Sequence, residues 1–261
     1  MKMRSSSAGK RPALTNAGAP ADESPSGQAF QTEWIDFERG IRVGHLQPHE
    51  RITRILKAYL EGMHRTPFVT DRWGRGVFWQ WICWVPRANR EAKPLSSKVN
   101  FGCAKLFISA DRETCVFKAG LQVERGFMAG PEAAKGWGLR DDWDWHRLLR
   151  ECRKGSVLDG ELLRLLREED FVIEVGDWEA NTTLTARNFR SVSQIARAAT
   201  KCPPRQWAGF QLYYPMPEAE LRACTGYEFV QAVQGVFAAV VPAMNCCMQV
   251  PLAGLSGRPA A

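Results

Sequence analysis

The chain has 261 residues, of which 45% are hydrophobic and 24% charged, and its formal net charge is +7 at pH 7. This balance is typical of a globular protein and excludes a disordered, collagen-like or coiled-coil chain. No window approaches the roughly 18 uninterrupted apolar residues that a membrane-spanning helix needs, and no apolar stretch follows Lys2 and Arg4 as it would in a secretory signal. We therefore expect a soluble, cytoplasmic protein without a membrane partner, in which the eight cysteines are reduced.

The two ends of the chain differ in composition from its middle. Residues 1–28 are rich in Ser, Ala, Gly and Pro and have almost no large apolar side chains, which predicts a disordered N-terminal tail. A loose C-terminal tail is predicted over 250–261, so the globular domain is expected to span 29–249.

Two helices are predicted at the start of this domain. Phe30, Trp34 and Phe37 recur at helical spacing before Gly40, which predicts a short first helix. A clearer apolar stripe between Ile52 and Met63 predicts an amphipathic second helix.

Three strands are predicted next. Residues 77–85, VFWQWICWV, are aromatic and β-branched on both faces, which predicts a central strand. Residues 98–109 and 114–124 predict two more strands joined by a short polar turn at 110–113. In the last strand one face is apolar and the other is largely polar. This polar face carries Val116, Lys118, Gly120, Gln122 and Glu124.

The second half of the chain mixes helical and strand patterns. Helices are predicted over 145–152, 158–166 and 189–199, and strands over 171–175 and 207–214. A last apolar helix is predicted to begin at Thr225, because Thr225 and Glu228 have capping-box spacing, and Pro242 is expected to kink or end it. These elements predict an α+β fold, a mainly antiparallel sheet with flanking amphipathic helices in a single compact domain.

The sequence lacks the common motifs of catalysis and cofactor binding. The segment 130–135 has only part of a phosphate-binding loop, and 254–257 lacks the spacing of a serine-hydrolase elbow. The adjacent Cys246 and Cys247 do not have the spacing of a zinc site. Nothing therefore predicts a cofactor or a metal, and whether the protein is an enzyme stays open.

Basic and aromatic residues alternate between residues 65 and 98. Cations bind phosphates and aromatic rings stack on bases, so this mixture fits a surface for nucleic acid or another polyanion. The alternative is a buried aromatic strand flanked by unrelated loop charges. Trp73 distinguishes the two, because we place it in a polar loop where only a role in recognition would explain its exposure. The candidate nucleic-acid-binding residues are Arg65, Arg72, Trp73, Arg75, Arg87 and Arg90.

The polar strand face offers weaker candidates for catalysis, Lys118 and Glu124. A lysine and a carboxylate on one face can perform acid and base chemistry if they are desolvated. A solvated sheet face with a cross-strand ion pair is the simpler explanation for them.

Two further clusters have a functional and a structural interpretation. The acidic run 141–144 before His146 can bind a divalent cation, but acidic residues are also favoured in the first turn of a helix. An exposed Trp73, Trp137 or Trp143 would instead indicate a protein partner.

Because charge and aromatic residues are present and catalytic motifs are not, a non-catalytic binding module for nucleic acid or another polyanion ranks first. An enzyme with a pocket at Lys118 and Glu124, or a protein-interaction module, are the alternatives.

Overall fold

A computed structural model describes residues 27, 29–93, 102–125, 143–177, 180–203 and 207–253. The described residues form one nine-stranded antiparallel sheet, seven α-helices and two short 3-10 helices. This confirms the predicted α+β fold with a mainly antiparallel sheet. The predicted N-terminal tail lies outside the described residues apart from Gly27.

Seven of the strands lie side by side across the sheet in the order β3-β4-β5-β6-β9-β7-β8. Strand β2 pairs with the start of β4, on the side of β4 that β5 also occupies, and β1 pairs with β2. The strands are β1 (Ile35–Asp36), β2 (Gly40–Arg42), β3 (Phe68–Arg75), β4 (Phe78–Pro86), β5 (Lys105–Asp111), β6 (Val116–Glu124), β7 (Val172–Gly176), β8 (Asn181–Leu184) and β9 (Gly209–Pro217).

The helices pack mainly on one face of this sheet, where they enclose the larger apolar core with side chains of β6 such as Phe117 and Leu121. The α-helices are α1 (Ile52–His64), α2 (Arg87–Glu91), α3 (Asp144–Glu151), α4 (Val157–Glu168), α5 (Ser193–Lys201), α6 (Glu218–Ala223) and α7 (Gly226–Cys247).

The opposite face of the sheet is the predicted polar face. Strand register places the polar residues of β6 beside alternate residues of β5, β9 and β7. A small apolar cluster around Phe107 and Tyr213 lies among them. We use the name polar face for this surface, whose members include Trp73, Trp81, Lys105, Phe107, Asp111, Lys118, Gln122, Glu124, Glu174 and Tyr213.

Helix α7 begins as predicted. The Thr225 hydroxyl accepts a hydrogen bond from the Glu228 backbone N–H at 3.3 Å, and the Glu228 carboxylate accepts one from the Thr225 backbone N–H at 2.9 Å. Pro242 does not end the helix, which continues to Cys247. Among the described helices α7 alone has the length and composition to cross a membrane, and half of its most apolar window is buried inside the fold.

Two sequence predictions were wrong near the start of the domain. The predicted first helix is a single 3-10 turn, Thr32–Trp34, followed at once by β1. Residues 71–75, placed in a polar loop, belong to strand β3. In both segments pairing with the next strand of a hairpin overrides the local pattern.

A buried polar cluster joins four parts of the fold. The Asp144 carboxylate accepts hydrogen bonds from the backbone N–H groups of Ala104 and Gln249, at 2.6 and 3.0 Å, and from the Asn89 side-chain amide at 2.6 Å. It also pairs with the Lys93 ammonium at 3.1 Å. Asp144, Asn89 and Lys93 are almost completely buried. This carboxylate therefore holds α2, β5, α3 and the segment after α7 together, which is a structural role.

The chain after α7 is described as far as residue 253. The Asn245 side chain bonds both backbone groups of Leu252, at 2.9 and 3.0 Å, and Leu252 is buried. The carbonyl oxygen of Ala253 lies 3.4 Å from Nδ1 of His64 at the end of α1. These contacts pack the first part of the predicted C-terminal tail against the domain, and 254–261 lie outside the described residues.

Candidate nucleic-acid interface and the polar face

The end of the β3–β4 hairpin presents a large aromatic side chain to solvent. Trp73 is 70% exposed, and it lies on β3, which pairs only with β4 among the described strands. Gly74 and Gly76, with φ of 154° and 59°, allow the backbone to turn directly after it. A bulge between Trp73 and Gly74 shifts the register by one residue on β4. Exposure at this position is the property expected of a recognition residue.

Four arginines lie near this hairpin end, on both faces of the sheet: Arg72 pairs with the buried Ile82, so its side chain lies on the opposite face from Trp73. The Arg72 guanidinium carbon lies 3.6 Å from the centroid of the Trp79 ring, and that of Arg39 lies 3.9 Å from the centroid of the Phe78 ring. These distances are short for cation–π contacts, which hold each guanidinium in place without neutralising its charge. Phe78 also lies directly between Arg42 on β2 and Arg75 on β3. We call this surface the hairpin patch, and it comprises Arg39, Arg42, Arg72, Trp73, Arg75, Phe78 and Trp79.

Among the described residues, no ion pair offsets the charge of the hairpin patch. In the part of the chain that the structure describes, none of its four arginines forms a salt bridge with a carboxylate. Glu38, next to Arg39, pairs with Arg112 instead, and Asp36 and Asp71 accept hydrogen bonds from the backbone N–H groups of Arg39 and Arg72. The guanidinium groups therefore remain available to an anionic ligand.

The other predicted binding residues lie at the opposite end of the same hairpin. Arg65 follows α1 in a left-handed conformation with φ of 51°, and Arg87 starts α2 beside Pro67. Arg90 is partly buried in α2 and has interactions of its own. Seven residue steps of extended strand separate the two ends, or roughly 23 Å. The structure thus places Arg72, Trp73 and Arg75 at one end of the hairpin, with Arg72 on the opposite face from Trp73, and the other predicted arginines at the other end.

Arg39 and Arg42 were missed by sequence reasoning. They lie in the β1–β2 hairpin, more than 25 residues before β3, and reach the patch because β2 pairs with β4. The sequence signal for them is weak. It is a short segment between Gly40 and Gly44 with two β-branched residues, which follows a polar turn.

A buried polar network occupies the polar face beside the hairpin. The Glu124 carboxylate pairs with the Lys105 ammonium and accepts hydrogen bonds from Nε1 of Trp207 at 3.0 Å and from the Gln122 amide at 2.9 Å. Gln122 in turn accepts a hydrogen bond from Nε1 of Trp81 at 2.7 Å. Burial opposes the charge of Lys105, but the adjacent Glu124 carboxylate outweighs this effect and raises the pKa of the ammonium. The network is therefore an ion pair enclosed by donors and acceptors that satisfy it.

A second network lies further along the polar face. The Lys118 ammonium lies 2.9 Å from Asp111 and 3.4 Å from Glu174, and the Tyr213 hydroxyl donates to Glu174 at 2.5 Å. Burial, reinforced by the Glu174 carboxylate, raises the pKa of Tyr213. Burial works against ionisation of Asp111, yet its hydrogen bond with Lys118 lowers the pKa of that carboxyl. This cluster crosslinks β5, β6, β7 and β9.

The two weaker catalytic candidates belong to these different networks. Lys118 and Glu124 share the polar face of β6, but six residue steps separate them, or roughly 20 Å along the strand. Sequence reasoning missed Lys105, which the register of β5 and β6 sets opposite Gln122 and diagonal to Glu124. The predicted turn at 110–113 would have set Lys105 opposite Lys118, because the actual turn lies two residues later, between Asp111 and Val116.

The remaining candidate sites contribute no additional chemistry among the described residues. All eight cysteines are free thiols, and burial raises the pKa of Cys103 to about 11. No cluster of three or more His, Cys, Asp or Glu side chains able to hold a metal is found there. Trp143 is buried, whereas Asp141, Asp142 and Trp137 lie outside the described residues.

Comparison with known proteins adds no functional information. No family model matches the chain, and no curated protein and no solved structure shows significant similarity to it. Function is therefore inferred from the geometry of the chain itself.

Proposed function

We propose that the protein is a non-catalytic binding module for nucleic acid or another polyanion, and that the hairpin patch is its binding surface. The observation that carries this proposal is Trp73, a tryptophan 70% exposed at a hairpin end that also carries four arginines with no salt bridge to a described carboxylate. An exposed aromatic ring beside cations is the combination on which unpaired bases stack.

Chemistry supports a polyanion as the ligand. Arginine binds phosphate and sulfate groups through paired N–H donors, and contacts with several phosphates make such binding strong at low salt. The net charge of +7 favours the approach of the same ligands over long distances. Lys118 and Glu124, in contrast, are each paired within separate networks, so we propose binding and not catalysis.

Titration with labelled single-stranded and duplex DNA and RNA at several salt concentrations tests this proposal. If four phosphates are contacted, the slope of log K against log salt is about −3 for a single strand, which is roughly a 50-fold loss of affinity from about 50 to about 200 mM salt. The variant Arg72→Ala/Trp73→Ala/Arg75→Ala is expected to remove most of the binding and to flatten the salt dependence.

A matched control is available on the helices. Arg167 on α4 and Arg197 on α5 are exposed, so the variant Arg167→Ala/Arg197→Ala lowers the net charge by the same two units away from the hairpin. We expect it to bind nearly as the parent does. Equal losses in both variants would show that binding reflects net charge alone, and no binding of any polyanion at low salt would refute the proposal.

A further inference from the structure

Two tryptophans lie side by side where the hairpin patch meets the polar face. Trp73 on β3 and Trp81 on β4 are direct cross-strand partners. The Cβ atoms of such partners are roughly 5 Å apart, so the side chains share one surface. Trp73 is 70% exposed and Trp81 is half-buried. Arg75 follows Trp73 by two residues on β3 and shares this face, whereas the side chain of Arg72 lies on the opposite face.

The ring of Trp81 is fixed by the buried network. Its Nε1 donates to Oε1 of Gln122 at 2.7 Å, and Nε2 of Gln122 donates to Glu124 at 2.9 Å. An indole N–H can only donate and a carboxylate can only accept, so the Gln122 amide has a single orientation that satisfies both neighbours. Lys105 holds Glu124 in place and lies 5.5 Å from the Trp81 ring centroid. A fixed ring loses little conformational freedom when a ligand covers it.

We propose that the hairpin patch takes single-stranded nucleic acid, with successive bases stacked on Trp73 and Trp81 and with Gln122 as the positioning residue for Trp81. This inference rests on the proposed function, which it narrows from polyanions in general to strands with accessible bases. In a duplex the base faces are already stacked on one another, whereas an unpaired strand offers them to aromatic side chains. The arginines supply the phosphate contacts, which do not depend on sequence.

Abasic strands separate stacking from phosphate binding. We would measure the affinity of the parent for oligo(dT), for oligo(U) and for an abasic strand of the same length and charge. Stacking of one base contributes roughly a 5- to 100-fold gain in affinity. The base-bearing strands are therefore expected to bind at least several-fold more tightly than the abasic strand, and more tightly than duplex DNA.

Two variants then locate the stacking sites. Trp73→Leu and Trp81→Leu keep an apolar side chain but remove the ring, so each is expected to weaken binding of oligo(dT) while leaving the abasic strand unchanged. Trp73 is so exposed that its replacement leaves the core intact, which keeps the test decisive even if the Trp81 variant folds poorly. If both variants bind oligo(dT) as the parent does, the stacking proposal is wrong.

The role of Gln122 needs a readout that a purely structural role would not change. Gln122→Met has a similar length but no acceptor for the Trp81 N–H, so it is expected to weaken binding of oligo(dT) selectively over the abasic strand. In a Trp81→Phe background, which has no indole N–H, the same change is expected to add no further loss. Equal losses for both strands, or full additivity with Trp81→Phe, would overturn the positioning role.

The outcomes also separate this inference from the proposed function. Equal affinity for abasic and base-bearing strands, or a preference for duplex, would refute the single-strand inference while the binding of polyanions at the hairpin patch stood. Absence of any salt-sensitive binding at low salt would refute the proposed function itself.

Discussion

Lys105 and Glu124 form an ion pair in which both side chains are more than nine-tenths buried. Removing two charges from water is costly, and the attraction between them offsets that cost only if further hydrogen bonds satisfy the carboxylate. Here Gln122 and Trp207 supply those bonds. An ion pair of this kind fixes side-chain positions and adds little net stability, which suits its proposed role beneath Trp81.

Replacing one partner of this pair is predicted to destabilise the fold strongly. Lys105→Met leaves the Glu124 carboxylate buried without its cation, and the expected loss is about 3–5 kcal/mol of unfolding free energy. Urea denaturation followed by circular dichroism measures it. The double variant Lys105→Met/Glu124→Gln removes both charges and is expected to recover a large part of the loss.

Lys57 on α1 provides the comparison. It lies 3.7 Å from Glu61 one helical turn away, and both side chains are about one-third exposed. Lys57→Met is expected to change the unfolding free energy by less than about 1 kcal/mol. If Lys105→Met were equally mild, Glu124 would not depend on Lys105, and the network could not hold Trp81 as argued above.

At the scale of elements, the sequence predicted those whose signals are local. The apolar stripe of α1, the aromatic run of β4, the alternation of β6 and the capping box of α7 all lie within single segments, and the structure confirms each of them. Strand β3 was missed because its residues 71–75 are polar and become a strand only through pairing with β4.

The candidate site was predictable in part for the same reason. Arg72, Trp73 and Arg75 are close in sequence, so composition alone identified them. Arg39 joins them through the pairing of β2 with β4, and Lys105 joins Glu124 through the β5–β6 register. Strand pairing and its register decide both contacts, and the local sequence marks them weakly, whereas Arg65 and Arg87 are near in sequence but lie at the far end of the hairpin.

The start of α7 allows a prediction for a single helix end. The Thr225 hydroxyl caps the helix by accepting from the Glu228 backbone N–H. Thr225→Ala removes this acceptor and is expected to lower the unfolding free energy by about 0.5–2 kcal/mol, whereas Thr225→Ser keeps it and is expected to stay close to the parent. Thermal and urea denaturation of the two variants measure the difference. A Thr225→Ser variant as unstable as Thr225→Ala would show that the methyl group, and not the cap, stabilises this end.

At the scale of the whole molecule, the contacts that close the fold lie far from the hairpin patch. The segment after α7 bonds to Asp144 through Gln249, to Asn245 through Leu252 and to His64 through Ala253. Helix α1 and the last described residues are therefore held together by polar groups, while the hairpin end carries exposed arginines and a tryptophan. This separation lets the patch be altered for binding experiments without disturbing closure of the domain.

His64 makes global stability depend on pH. Burial lowers the pKa of its imidazole below the ordinary value of 6.5, although the contact with the Ala253 carbonyl acts in the opposite direction. The unfolded chain therefore takes up a proton at a higher pH than the folded chain does. The resulting contribution to stability is fully present above about pH 6.5 and is lost as the pH falls from there towards the lowered pKa of the folded state.

His64→Phe keeps an aromatic ring beside Phe68 and cannot titrate. The urea midpoint of unfolding is measured at pH 7.5 and at pH 5.5. The decrease between the two pH values is expected to be smaller in His64→Phe than in the parent, because the variant has no imidazole to protonate on unfolding. Parallel losses in the two proteins would place the acid sensitivity in other groups, and a smaller loss in the parent would reverse the sign of the linkage.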